Sequence, residues 1–137
     1  MKRVFLDTNI LVDYVENRER GDDAKQLLMR GRDGDVELAA SFLTFANLAY
    51  ILGKKRIDVY EALTWLVSIV KVLPMNNAIL RKALSHRTTD FEDMQQYQCA
   101  MKGNYDVIVT NNKRDFVAFS ELPLMTASEL LEALDKI

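Results

Sequence analysis

The sequence predicts an α/β fold, a three-layer α/β/α sandwich on a central, mainly parallel sheet of four to five strands. Three observations support this. Short apolar runs alternate along the chain with longer segments of helical periodicity. The runs are continuous (Val4, Phe5 and Leu6; then DVIV at 106–109), as in strands covered on both faces. The chain has 137 residues, 49% of them hydrophobic, which fits one domain over 1–137 with one core.

KRVFL reads as the first strand and NILVDYVEN as a short helix. DDAKQLLMRGRDG reads as a second helix that ends near Gly31 or Gly34, followed by VELAAS as a strand. The stretch from Phe42 to Leu52 is apolar on nearly all sides and reads as a packed helix, with Gly53 as its stop. DVYEALTWLVSI is amphipathic, with Val59, Ala62, Leu63, Leu66 and Ile69 on one face. VKVLP is a short strand and NNAILRKALSHR a helix. Thr89 and Glu92 have capping-box spacing, so the next helix starts at Asp90, and Gly103 ends it. YDVIVT is a strand, NKRDFVAF a loop or short helix, and LPLM an edge strand. TASELLEALDKI closes the chain as a helix with a second box, Thr126 to Glu129.

Composition excludes several classes. The single cysteine, Cys99, cannot form an intramolecular disulfide and reads as a buried small residue. The single histidine, His86, rules out multi-histidine metal sites and reads as a surface or capping residue. A net charge of −2 neither announces nor excludes nucleic acid. No apolar run approaches the ~18–20 residues that cross a bilayer, and Asp7 interrupts any signal-peptide core. The expectation is a soluble cytoplasmic protein without a membrane partner.

Ligands of open parallel sheets bind beyond the carboxyl ends of the strands. The first strand ends at Asp7, Thr8 and Asn9, and DVIV ends at Thr110, Asn111 and Asn112, with Asp115 just beyond. Asp90 and Asp93 open the helix that precedes that strand, so they fall at the same edge. Asp and Asn oxygens without His or Cys suit Mg²⁺ or Mn²⁺. Taken singly, Asp7, Thr8 or Asn9 also reads as a helix cap, Asp90 as first-turn charge, and Asn112 and Asp115 as turn residues. A haloacid-dehalogenase-type phosphatase expects a second Asp where Asn9 stands. A receiver domain expects Asp where Leu73 and Pro74 stand, and no GxxxxGK[ST] phosphate loop occurs.

Four stretches together resemble the PIN-domain family, and most resemble its small single-domain ribonucleases of VapC-toxin type. They are FLDTNILVDY at 5–14, ASFLTFANLAYIL at 40–52, DFEDMQQYQCAMKGNYDVIVTNNKRDF at 90–116, and the final LPLMTASELL. The resemblance implies an Mg²⁺- or Mn²⁺-dependent endoribonuclease of a toxin–antitoxin pair. Asp7 and Asp93 would hold the metal, and Asp115 would join them as a catalytic acid. Thr8, Asn9, Asn47, Asp90, Thr110 and Asn112 would support them, and a water activated at the metal would attack the phosphodiester. A homodimer and a small cognate antitoxin are implied as partners, beside RNA.

One position departs from the pattern. Asn47 stands where the family usually has Glu, and no acid occurs between Glu37 and Asp58 to replace it. Asn112 likewise stands where many relatives have Asp. Two readings stay open: a nuclease with a degenerate acidic site, or a catalytically impaired PIN domain that binds RNA or protein. The candidate phosphate contacts are Lys54, Lys55, Arg56, Lys113 and Arg114, with Arg81, Lys82 and Arg87 on one helix side. Tyr14, Tyr97 or Phe116 could stack on bases, although Phe116 fits a core better.

Overall fold

The computed structural model describes residues 1–17 and 20–136. Its sheet is wholly parallel, in the order β3-β2-β1-β4-β5. β1 (Lys2–Leu6) lies at the centre between β2 (Val36–Ser41) and β4 (Val107–Val109). β3 (Val70–Leu73) and β5 (Leu124–Met125) form the edges. Parallel neighbours need long crossovers, and helices supply them. α1 (Thr8–Val15) and α2 (Gly21–Arg32) join β1 to β2, and α3 (Phe42–Lys54) and α4 (Val59–Val67) join β2 to β3. α5 (Asn77–Leu84) and α6 (Phe91–Lys102) lead to β4, α7 (Arg114–Val117) precedes β5, and α8 (Ala127–Asp135) follows it.

The alternation of side chains along each strand divides the core into two layers. Val4 and Leu6 of β1 pack with Leu38, Val70, Val107 and Val109 against α1, α2, α3, α4 and α8. Phe5 faces the other way, with Ala39, Leu73 and Ile108 against α5, α6 and α7. Val4, Phe5 and Leu6 are all fully buried, which is why the strand is apolar without alternation. Each such side chain contributes roughly 1.5–3 kcal/mol through burial.

The chain builds outward from β1 through β2 to β3, then crosses to the other side for β4 and β5. The order therefore reverses between β1 and β4. At that switch point the crossovers leave in opposite directions and open a crevice at the strands' carboxyl ends. Asp7 follows β1 there, and Thr110 follows β4.

Most elements fall where the sequence places them, and the differences are local. Gly53 lies inside α3 rather than ending it, on an exposed stretch where nothing requires a break. α2 runs through Gly31, and Gly34, at φ 86°, makes the turn instead. Ile69 lies beyond α4 and packs on the core from the turn before β3. α6 is capped by Asp90, whose carboxylate accepts from the Asp93 N–H at 3.2 Å, so the Thr89–Glu92 box does not form. The Thr126–Glu129 box does form. Cys99 is buried, and burial pushes its thiol up to about 11. His86 is exposed behind α5, with Nδ1 3.0 Å from the Lys82 carbonyl. No helix among the described residues is long and apolar enough to cross a membrane.

Candidate active site

The carboxylate of Asp7 is built into the fold. Asp7 N–H donates to the Val109 carbonyl at 2.9 Å, which extends the β1–β4 ladder by one bond and drives the side chain into the crevice. Oδ1 accepts from the Thr8 N–H at 2.8 Å, so Asp7 also caps α1. Oδ2 accepts from the Thr110 hydroxyl at 2.8 Å and the Asn9 amide at 3.1 Å. Asn9 Oδ1 in turn accepts from the Asn111 N–H at 3.2 Å, and Asn111 Nδ2 donates to Asp13 Oδ2. Thr110 accepts from the Asn112 N–H at 3.0 Å, which shapes the turn after β4.

A second network holds α6 over the same edge. The Gln96 amide N–H donates to the hydroxyls of Thr8 and Thr44, each at 3.1 Å. Its carbonyl oxygen accepts from Ser41 Oγ at 2.7 Å. Thr8 and Thr44 hydroxyls stand 2.8 Å apart. Ser41, Thr44 and Gln96 are fully buried, so the bonds among them are made away from water, while Thr8 is half-buried at the cavity edge. The network ties α6 to the starts of α1 and α3, and thereby sets the position of Asp93 one turn earlier on α6.

An open cavity of about 330 Å³ results. Asp7, Thr8, Asn9, Asp90, Glu92, Asp93, Asn112 and Asp115 line it. Its charges strain each other. Burial raises Asp7 to about 6 against the hydrogen bonds from Thr110 and Thr8, and the charges of Glu92 and Asp115 add to the rise. Burial also raises Asp93 to about 7, with Asp7, Asp90, Asp115 and Glu92 each pushing further. Asp93 Oδ2 is buried and has no hydrogen-bond partner among the described residues. Such an oxygen calls for a proton or a cation.

The donor set fits a hard divalent cation: it is made of oxygens, with no His or Cys. Among the described residues, no three acidic, His or Cys side chains stand close enough together to hold a metal ion as they lie. The acids line an open cavity without converging on one point, so a bound ion would draw them together and keep several of its waters.

Asp7, Thr8, Asn9, Asp90, Asp93, Asn112 and Asp115 thus meet as expected, and Thr110 stands behind Asp7. Asn47 does not line the cavity. Its Nδ2 donates instead to Glu92 Oε1 at 2.9 Å. No acid lies between Glu37 and Asp58, and the carboxylate that Asn47 meets is that of Glu92 on α6. Ser41, Thr44 and Gln96 were also missed, although Gln96 lies three residues beyond Asp93 and shares its helix face.

Of the basic candidates, Arg114 borders a groove of about 940 Å³ that shares Asp90, Asp93 and Asp115 with the acidic cavity, and Arg87 borders it too. Lys54, Lys55 and Arg56 line neither space. Lys54 lies over the Tyr50 ring at 4.8 Å, and Lys55 pairs with Glu16 at 3.6 Å. Lys113 pairs with Glu129 at 2.8 Å. The aromatic candidates are engaged as well: Tyr14 stacks on Trp65, while Tyr97 and Phe116 are buried.

A parallel α/β sandwich with an acidic cavity at its switch point defines the class of protein. The family follows from the comparisons. The PIN-domain family model matches residues 3–114, and the chain belongs to that family. No curated protein matches its sequence. Among solved structures it resembles a toxin–antitoxin complex from Klebsiella pneumoniae, at 20% identity and a TM-score of 0.70, covering 90% of this chain and 97% of that one. It resembles VapBC2 from Rickettsia felis, bound to a promoter DNA fragment, at 18% identity and 0.68, covering 90% and 98%. It also resembles VapC20 of Mycobacterium tuberculosis, a sarcin-ricin loop cleaving toxin, at 16% identity and 0.64, covering 88% and 98%.

Proposed function

We propose that the chain is a metal-dependent endoribonuclease and the toxin component of a toxin–antitoxin pair. One observation supports this above the others. Asp7 and Asp93 come from separate elements to one cavity, and Asp93 keeps a buried oxygen that no group among the described residues satisfies. Asp7, Asp93 and Asp115 would hold Mg²⁺ or Mn²⁺, with Asp90 and Asn112 at the rim. When bound, such an ion makes a nucleophile of water at neutral pH and stabilises the charge of a phosphoryl group under attack. Thr110, Asn9 and the Thr8 N–H fix the orientation of Asp7 and favour its charged form. Gln96 fixes α6, and with it Asp93.

The substrate strand would lie in the groove beside the cavity. Arg87 and Arg114 border that groove, and neither has a carboxylate partner among the described residues. They are free to contact phosphates on one side of the scissile bond. An antitoxin partner accords with the toxin–antitoxin neighbours. Phe42 and Tyr50 of α3 and Tyr60 and Val67 of α4 are exposed and offer apolar surface for that partner or for a second copy of the chain.

Asn47 favours the second reading, a PIN domain that binds RNA or protein without cleaving it. Incubation of the purified chain with structured RNA in Mn²⁺ and in EDTA separates the two. Cleavage should appear only with Mn²⁺ and disappear in Asp7→Asn and Asp93→Asn. Cleavage that survives in both variants rejects the site. RNA binding without cleavage and without Mn²⁺ uptake moves the conclusion to the binding module.

A further inference from the structure

We infer that Glu92 is an oxygen donor of the candidate metal site and that Asn47 is its positioning residue. The inference rests on the metal-dependent reading above. Glu92 lines the cavity together with Asp7, Asp93 and Asp115, whereas Asn47 does not. The two side chains meet across 45 positions of sequence, with Asn47 Nδ2 donating to Glu92 Oε1 at 2.9 Å. That bond uses one carboxylate oxygen. The other, Oε2, has no hydrogen-bond partner among the described residues and remains available as a donor to a cation.

Placement explains why the amide belongs at position 47. Glu92 stands in the first turn of α6, where free N–H groups favour an anion. Asn47 stands on α3, one turn after Thr44, which the Gln96 network ties to α6. A neutral donor on α3 can therefore hold the acid of α6 in one rotamer without adding charge. A glutamate at 47 would set two carboxylates against each other at hydrogen-bond distance. The acid that the third helix lacks is thus present at the site, contributed by another helix and held by the amide that took its place.

Calorimetric titration of the full chain with Mn²⁺ tests the pair. Glu92→Gln should weaken binding on the order of tenfold, because charge count sets affinity for hard cations. Asn47→Ala should weaken it less, as loss of an outer-shell partner does. Asn47→Glu alone should not improve binding. The exchange Asn47→Glu with Glu92→Gln restores the bond between acid and amide but moves the acid to a position that does not line the cavity, so binding should stay as weak as in Glu92→Gln; full recovery would overturn the assignment of the donor to Glu92. Asp93→Asn serves as the reference for a lost ligand. If Glu92→Gln binds Mn²⁺ as the wild type does while Asp93→Asn does not, Glu92 has no role and the metal reading stands. If the wild type binds no Mn²⁺, both fall.

Discussion

In the metal-free protein, the stability of Asp7→Asn relative to the wild type should rise from pH 5 to pH 8. The reason is a buried charge. Asp7 is 6% exposed, and its carboxyl rises from 3.8 to about 6 in the fold. Between those values the unfolded chain has lost its proton while the folded chain keeps it. The unfolded state then binds fewer protons, so stability falls as pH rises from about 4 through 6 and is flat beyond. At about 1.36 kcal/mol per unit, the whole loss is about 3 kcal/mol, of which about 1.4 kcal/mol falls between pH 5 and pH 8.

Asparagine has no charge to desolvate, but its NH2 must face a donor, either the Thr8 N–H or Asn9 Nδ2, so the substitution carries a cost that does not depend on pH. Any constant cost of the substitution cancels when the difference between variant and wild type is compared at two pH values. With about 4 °C per kcal/mol for a chain of this size, the melting gap should widen by roughly 5 °C in favour of Asp7→Asn between pH 5 and pH 8. Asp93 adds in the same direction, since the charge of Asp7 is one cause of its raised value. The assay is thermal melting in EDTA at both pH values, repeated with excess Mn²⁺. Under the proposed function, Mn²⁺ should raise the melting temperature of the wild type by mass action and leave the variant unmoved. A gap that stays constant with pH in EDTA would refute the claim that Asp7 is a desolvated charge.

Three further outcomes follow from the same geometry. Gln96→Leu should cost about 1–3 kcal/mol, read from the urea midpoint, because Ser41 loses its 2.7 Å acceptor and Thr44 and Thr8 lose a donor; an unchanged midpoint would show that the network does not matter. Arg87→Ala and Arg114→Ala should each reduce the slope of log K for single-stranded RNA against log salt by about 0.7, whereas Lys55→Ala, whose amine pairs with Glu16, should not. Gly21→Ala should destabilise by about 1–3 kcal/mol, since its Cβ would stand 2.9 Å from the Asp13 carbonyl oxygen, while Gly53→Ala, in open space inside α3, should stabilise by about 0.5–1 kcal/mol; equal effects in urea melts would remove the distinction.

What could be read from the sequence was whatever local chemistry determines. Val4, Phe5 and Leu6 announce a strand buried on both faces, and Asp7 announces its end. Capping by Asp90 and Thr126 sets helix starts within a residue or so. The parallel topology then follows from alternation, and the position of Asp7, Asp93 and Asp115 at one edge follows from the topology. What was not legible depends on pairs distant in sequence. Gln96 looks like any polar helix residue until Ser41, Thr8 and Thr44 are seen to surround it.

Asn47 is the sharper case. Along the chain it is a lost acid, because the search for a replacement runs among neighbours in sequence. In the fold its neighbours are those of α6, and the Gln96 network brings α3 and α6 together. Across that contact the side chain that meets Asn47 is Glu92. Counting acids within a motif misjudges such a site whenever two helices share an edge, because the electrostatics of the cavity depend on which carboxylates reach it and not on which helix carries them.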